Sequence, residues 1–212
     1  MPTRKTRRAS HAVEPHKKYD EAYYERWYRS SRRVVTPIAT LRKARLALAA
    51  AEFVLGREIR SVLDVGCGEG PWRRILKRAR PGIAYTGVDS SEYVVRRYGG
   101  RRNIVQGTLG SLDRIGLRGK FDLIICVDVV SYVPTPELQR GLTTIRRLAR
   151  GIAYVDAYTI KDEFVGDLHG WHHRSEATYR RLFAKAGLVA CGLNCWMPKA
   201  ETYRMSALEM CG

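Results

Sequence analysis

The chain has only five cysteines, an odd number, and no CxxC pair. Cys67 and Cys126 stand in Gly-rich or apolar runs, and Cys191 and Cys195 lie four apart in a strand-like stretch. This pattern argues against a disulfide framework and against a thiolate metal site. It predicts buried thiols in a reducing cytoplasm. No apolar run approaches the roughly 18 residues a membrane helix needs. The basic N-terminus is not followed by the apolar stretch of a secretory signal. Internal repeats and low-complexity tracts are also absent. What remains is a chain of 212 residues, 45% hydrophobic and 28% charged. That is enough for one well-buried soluble domain, with a cytoplasmic location and no membrane partner as the expectation.

Acidic residues are scarce: 21 Asp and Glu face 38 Lys and Arg, a formal net charge of +17. Residues 1–18, "MPTRKTRRASHAVEPHKK", hold six of the basic groups and one acid. They read as a disordered basic tail, and most of the excess lies elsewhere. Such a surface attracts phosphate-bearing partners, nucleic acid included. The charges are scattered rather than striped, which equally fits a solvated surface.

After the tail, "YDEAYYERWYRSSRRVV" places Tyr19, Tyr23 and Trp27 at i, i+4 and i+8, with Tyr24 and Tyr28 beside them. This predicts a helix with a wide aromatic face. Thr36-Pro37 opens a long helix that Gly56 closes. The two helices suggest an N-terminal cap over 19–58, followed by one domain over 59–212. From here strands and helices alternate. "RSVLDVG", "IAYTGVD", "RNIVQG", "FDLIICVDVV" and "GIAYVDAY" read as strands. "PWRRILKRA", "SEYVVRRYG", "TPELQRGLTTIRRLARG" and "SEATYRRLFAKAG" read as helices, with N-caps at Ser90 or Ser91, Thr135 and Ser175. "LVACGLNCWM" and "ETYRMSALEM" read as a final strand pair. The expected fold is α/β, a doubly wound seven-stranded sheet, mostly parallel, with an antiparallel ending.

The chemistry is concentrated in "VLDVGCGEGPW". Gly66, Gly68 and Gly70 alternate between a buried strand and a helix N-terminus. Backbone approaches a ligand closely at such a turn, and the helix dipole favours a negative group. The spacing is GxGxG, with Pro71 where the dinucleotide fingerprint GxGxxG needs glycine. Asp64 precedes the glycines, and Asp89 ends the next strand, where a carboxylate can accept hydrogen bonds from both ribose hydroxyls. Taken alone, Asp89 reads equally well as a helix cap.

The stretch "VLDVGCGEG…YTGVDS…FDLIICVDVVSYV" resembles the class I S-adenosylmethionine-dependent methyltransferases over about residues 60–195. The resemblance implies a Rossmann-like sheet of order 3-2-1-4-5-7-6 and S-adenosyl-L-methionine as cofactor. It implies that Asp64, Gly66, Cys67, Gly68, Gly70 and Trp72 wrap the methionine and adenosyl parts. Asp89 would hold the ribose hydroxyls, and Ser90 would border the adenine. Thr108 and Leu109 would flank the adenine edge, with Thr108 where many relatives have an acid. Asp128 and Val129 would lie beside the methionine end. Tyr132 stands where relatives often have His or an aromatic residue. The aromatic N-terminal helix resembles a variable cap over the cofactor.

Methyl transfer from a sulfonium needs alignment and exclusion of water, and a base when the acceptor carries a proton. The loop "TIKDEFVGDLHGWHHRS" supplies His169, His172, His173 and Trp171. His169, His172 and Tyr132 are the candidate catalytic residues. Tyr23, Trp27 and Trp171 are the candidate acceptor contacts. The chain has no Asn/Asp-Pro-Pro-aromatic motif and no Pro-Cys after the fourth strand, as nucleic-acid methylases of two kinds require. The first expectation is therefore a small-molecule acceptor, acidic or phosphorylated given the net charge. RNA methylation through the basic surface and a non-catalytic binding module on the same fold are the alternatives. A nicotinamide-dependent dehydrogenase is disfavoured by the glycine spacing.

Overall fold

A computed structural model of the chain describes residues 17–30, 33, 35–163, 166–206 and 208. The basic tail therefore lies outside the described residues except for Lys17 and Lys18. Seven strands form one sheet: β1 (Ser61–Val65), β2 (Ala84–Asp89), β3 (Ile104–Gln106), β4 (Phe121–Cys126), β5 (Ala149–Val155), β6 (Leu188–Gly192) and β7 (Cys195–Pro198). Their order is β3-β2-β1-β4-β5-β7-β6. All neighbours are parallel except β7, which runs antiparallel to both β5 and β6. The Rossmann-like expectation is borne out, strand order included.

The helices are α1 (Glu21–Tyr24), α2 (Pro37–Leu55), α3 (Pro71–Ala79), α4 (Glu92–Arg102), α5 (Thr135–Leu148) and α6 (Glu176–Ala186). Strand alternation feeds two cores. Leu63, Val65, Ile124 and Cys126 face Leu138, Leu142 and Ile145 of α5 and Phe183 of α6. Val62, Leu123, Ile125 and Ile152 face Ala44, Ala47 and Ala51 of α2 and Leu76 of α3. Every residue of β4 is buried, as a central parallel strand covered on both faces must be. The three alanines leave α2 no exposed surface at those positions. This helix thus belongs to the main core, and the expected boundary at 58 does not separate two packing units.

Three local expectations need correction. The aromatic segment is not one long helix: α1 is followed by a π-helical turn over Glu25–Arg29, which ends at Ser30. The wider turn brings Tyr28 against its i−5 neighbour Tyr23 (6.2 Å) as well as its i−4 neighbour Tyr24 (5.5 Å), and the first of these contacts is one that i+4 spacing does not give. Thr135 is the first residue of α5 rather than its cap, with Pro134 before it. The final strand pair is a hairpin within 188–198, turning at Leu193 and Asn194 with φ of 50° and 62°. Residues Lys199–Arg204 form a 3₁₀ helix instead of a strand. Of that second predicted strand, Ala207, Glu209 and Met210 lie outside the described residues.

At the amino end of β4, fully buried Asp122 accepts two bonds from Arg57 (2.9 and 3.0 Å), one from the Arg60 N–H (2.7 Å) and one from Arg150 (3.3 Å). Burial opposes its ionisation, but Arg57 and the other donors outweigh it and hold the carboxyl below its usual range. Asp122→Ala is expected to cost about 2 kcal/mol by urea unfolding at neutral pH, because it removes charge-assisted bonds from a buried acceptor whose donors are partly exposed. A carboxyl depressed in the folded state stabilises above its unfolded pKa. The gap between wild type and variant should therefore close as pH falls through the folded-state pKa.

Candidate active site

The sheet reverses its winding between β1 and β4, and ligands of open α/β sheets sit at the carboxyl ends of strands at such a switch point. Here the chain builds a glycine loop. Gly66, Gly68 and Gly70 all have positive φ, at 70°, 52° and 79°. A Cβ on Gly66 would meet Val129 Cγ2 at 2.2 Å, so loop and β4 turn touch backbone to side chain. The N–H groups of Gly66 and Cys67 both donate to Val88 O, and that of Gly70 donates to Cys67 O. Gly68 N–H donates to Asp89. These four donors are used internally, so an anion at this turn would be met by the first turn of α3 rather than by the glycines. The loop offers a close-fitting wall instead.

The charge at the crevice is supplied by carboxylates. Asp64 is buried in β1, accepts from Tyr85 Oη at 2.7 Å, and is pushed up to about 7 by burial, with Asp89 adding to the shift. Asp89 accepts from Gly68 N–H at 2.7 Å, from Ser91 N–H at 2.9 Å and from Tyr24 Oη at 3.5 Å. Burial raises its pKa, and those bonds counteract part of the rise. Asp128, two residues beyond β4, has φ 59°, a conformation few non-glycine residues adopt and one that clusters at functional sites. Burial raises its pKa as well, eased by Lys43 and reinforced by Asp156. Asp156, just past β5, is buried and paired with Lys43 of α2.

The N-terminal segment lies across the loop. Tyr24 is buried, and a Cβ on Gly68 would stand 3.3 Å from its ring. Arg29 pairs with Glu69 of the loop and donates to Tyr93 Oη at 2.7 Å. Ser91, rather than Ser90, caps α4, and its hydroxyl donates to Tyr19 O. Ser90 is exposed.

The remaining candidate contacts are divided between core and surface. Trp72 is buried in the α2-side core against Tyr154 (5.7 Å). Leu109 is buried against α5, where it fills the space beside Gly141. Cys67 is buried with Sγ under Gly87, and burial pushes the thiol up. Thr108 is exposed, and its N–H and hydroxyl meet Ser111 Oγ at 2.9 and 3.2 Å in the turn after β3. Trp27 lies under the Arg26 guanidinium at 4.8 Å.

The loop after β5 is anchored by buried Arg174, which sequence reasoning missed. Its guanidinium donates to Val130 O (3.1 Å), Val133 O (2.6 Å) and Thr135 Oγ1 (3.1 Å). His172 N–H donates to Ser131 O at 2.7 Å. The loop is thus tied to the β4 turn and to Tyr132, whose hydroxyl donates to Asp167 O at 2.6 Å. His169 is exposed, Trp171 stacks on His173 at 5.2 Å, and His172 is half-buried. Burial and then Arg174 lower the His172 pKa below 6.5. Burial raises that of Tyr132, which keeps its phenol protonated. Tyr24, Lys43 and Lys17 are further residues of the site that the sequence reading passed over. Among the described residues no cluster of His, Cys, Asp and Glu has the arrangement to hold a metal ion.

Residues 63–151 match the family model described as "Methyltransferase domain". The chain has the fold of methyltransferases solved with SAM or SAH bound. Its fold is similar to magnesium protoporphyrin IX methyltransferase from Synechocystis PCC 6803 with SAH bound: 21% identity, 81% of this chain and 87% of that one, TM-score 0.56. It is similar to an amino pentose methyltransferase from Micromonospora echinaspora with SAM bound: 14% identity, 71% and 84% covered, TM-score 0.59. It is also similar to the plantazolicin methyltransferase BamL, solved with SAH and a substrate analogue: 16% identity, 73% and 68% covered, TM-score 0.58. No curated protein matches the chain by sequence. No helix among the described residues is long and apolar enough to cross a membrane.

The contact between loop and β4 turn is directly testable. Gly66→Ala should cost about 3 kcal/mol, from overpacking and from strain at positive φ. Adding Val129→Ala should recover the steric part alone, read as a partial return of the urea midpoint.

Proposed function

We propose that the protein is a methyltransferase that moves a methyl group from S-adenosylmethionine to a small organic acceptor held between the tyrosine segment and the loop after β5. The observation that carries this reading is the convergence of Asp64, Asp89 and Asp128 at the carboxyl ends of β1, β2 and β4, beside a glycine loop of which four N–H groups are used internally. A sulfonium and an ammonium suit such a rim, and a dinucleotide pyrophosphate does not. Asp89 would take the ribose hydroxyls in place of Tyr24, its longest bond at 3.5 Å. Asp64 and Asp128 would face the cationic end, the glycine wall would lie along the chain of the cofactor, and Ser90 and Thr108 would border the adenine. When bound, the cofactor supplies a methyl group already activated for displacement.

The protein's work is then alignment and exclusion of water. The tyrosine segment over the loop and the Arg174-anchored loop are the walls that perform both. His172 is the proton acceptor best suited to neutral pH, because its surroundings keep it uncharged there. The small-molecule acceptor is supported by the neighbours, which act on a porphyrin, an amino pentose and plantazolicin. The nucleic-acid reading rests on net charge, and Arg29, Lys43, Arg57 and Arg80 are each taken up by a carboxylate.

S-adenosylmethionine at about 100 times its Kd should add about 2.7 kcal/mol of stability, seen as a raised Tm. Asp89→Ala should abolish that rise while the protein stays folded; an undiminished rise in the variant contradicts the assignment. The turnover rate should fall as pH drops through a midpoint below 6.5, since protonation disables the base. His172→Asn should remove that limb and slow turnover by about 100-fold.

A further inference from the structure

The Lys17 ammonium lies 3.9 Å from the ring centroid of Tyr132, 5.3 Å from that of Tyr19 and 5.4 Å from that of Tyr23. The same nitrogen is 2.8 Å from Asp167 Oδ2 and donates to His169 O at 3.4 Å. Lysine is among the residues least often buried, yet this side chain is only 12% exposed. Burial lowers its pKa in spite of Asp167. Three tyrosine rings, a carboxylate and a carbonyl are the groups that recognise an organic ammonium.

The walls come from three separate parts of the chain. Tyr19 and Tyr23 belong to the N-terminal segment, Tyr132 to the turn after β4, and Asp167 to the loop after β5. The Tyr132 hydroxyl bonds the Asp167 carbonyl, which joins two of them. The third is joined to the crevice, because Tyr19 O accepts from Ser91, whose N–H binds Asp89. Tyr132 is also only four residues beyond Asp128. The cage therefore borders the rim assigned above to the methyl donor, on the side of the loops that would receive an acceptor.

We propose that this cage is the acceptor subsite for an aliphatic amine, and that Lys17 is an internal stand-in for the substrate's ammonium group. The proposal rests on the methyltransferase reading and replaces an acidic acceptor with a cationic one. The incoming ammonium releases one proton to His172, the base assigned above. Its nitrogen then forms the N–C bond as the C–S bond breaks, and that bond's electron pair remains on sulfur. A tethered lysine at high effective concentration keeps external amines out, so removing its charge should admit them.

The test uses the full chain, wild type and Lys17→Met, titrated with butylammonium and with neutral 1-butanol, and followed by ligand-observed NMR. Lys17→Met should bind butylammonium about tenfold more tightly than wild type does, a factor within reach of cation–π and ion-pair contacts. 1-Butanol should bind both proteins equally weakly. Adding Asp167→Asn or Tyr132→Leu to Lys17→Met should remove the gain. Equal affinity of wild type and Lys17→Met for butylammonium would overturn the proposal. So would 1-butanol binding to Lys17→Met as well as butylammonium does, a comparison made on one protein and independent of the second substitution. Titration of wild type with S-adenosylmethionine is read separately. Its failure would overturn the methyltransferase reading and with it the acceptor role, whatever the cage binds.

Discussion

The site depends on one carboxylate. Asp89 accepts the N–H of Gly68, the N–H of Ser91 and the hydroxyl of Tyr24, and so joins the glycine loop, the start of α4 and the N-terminal segment at a single buried point. Each partner is itself committed elsewhere. Gly68 can sit there because its φ of 52° needs no side chain. Ser91 also caps α4 and holds Tyr19. Tyr24 packs against Tyr28 and Tyr93. A buried carboxylate with three donors fixes geometry because leaving any one of them unmade is costly.

Around that point the chain arranges charge in an order opposite to its overall balance. The protein as a whole is strongly basic, but the carboxyl ends of β1, β2, β4 and β5 present Asp64, Asp89, Asp128 and Asp156. Lys43 answers only part of this. Burial raises the pKa of the first three, so the rim is costly to leave without a cationic partner. Net charge describes the surface, and the strand ends beneath the tyrosine segment carry the opposite sign.

Much of the fold was legible because its signals are local. Pro71 starts α3, Thr36 and Gly56 bracket α2, and the apolar run of β4 reads directly as a strand buried on both faces. The glycines and Asp89 were legible because backbone conformation and strand ends restrict residue type. The misses have physical causes. Gly192, Leu193 and Asn194 turn the hairpin at positive φ, but a leucine inside the turn makes 188–197 read as one continuous strand. The π-helical turn shifts Tyr28 by a residue, which periodicity cannot anticipate. Arg174, Tyr24 and Lys17 act through contacts with distant segments; a lysine in a basic tail looks like any other solvated charge until Tyr132 and Asp167 close around it.

The central claim is that the crevice at the ends of β1, β2 and β4 takes S-adenosylmethionine. The most direct measurement is calorimetric titration of the wild-type chain with S-adenosylmethionine, S-adenosylhomocysteine and NAD. The account predicts saturable one-to-one binding of the first two and none of NAD. Binding of NAD alone, or of none of the three by the folded protein, would contradict it.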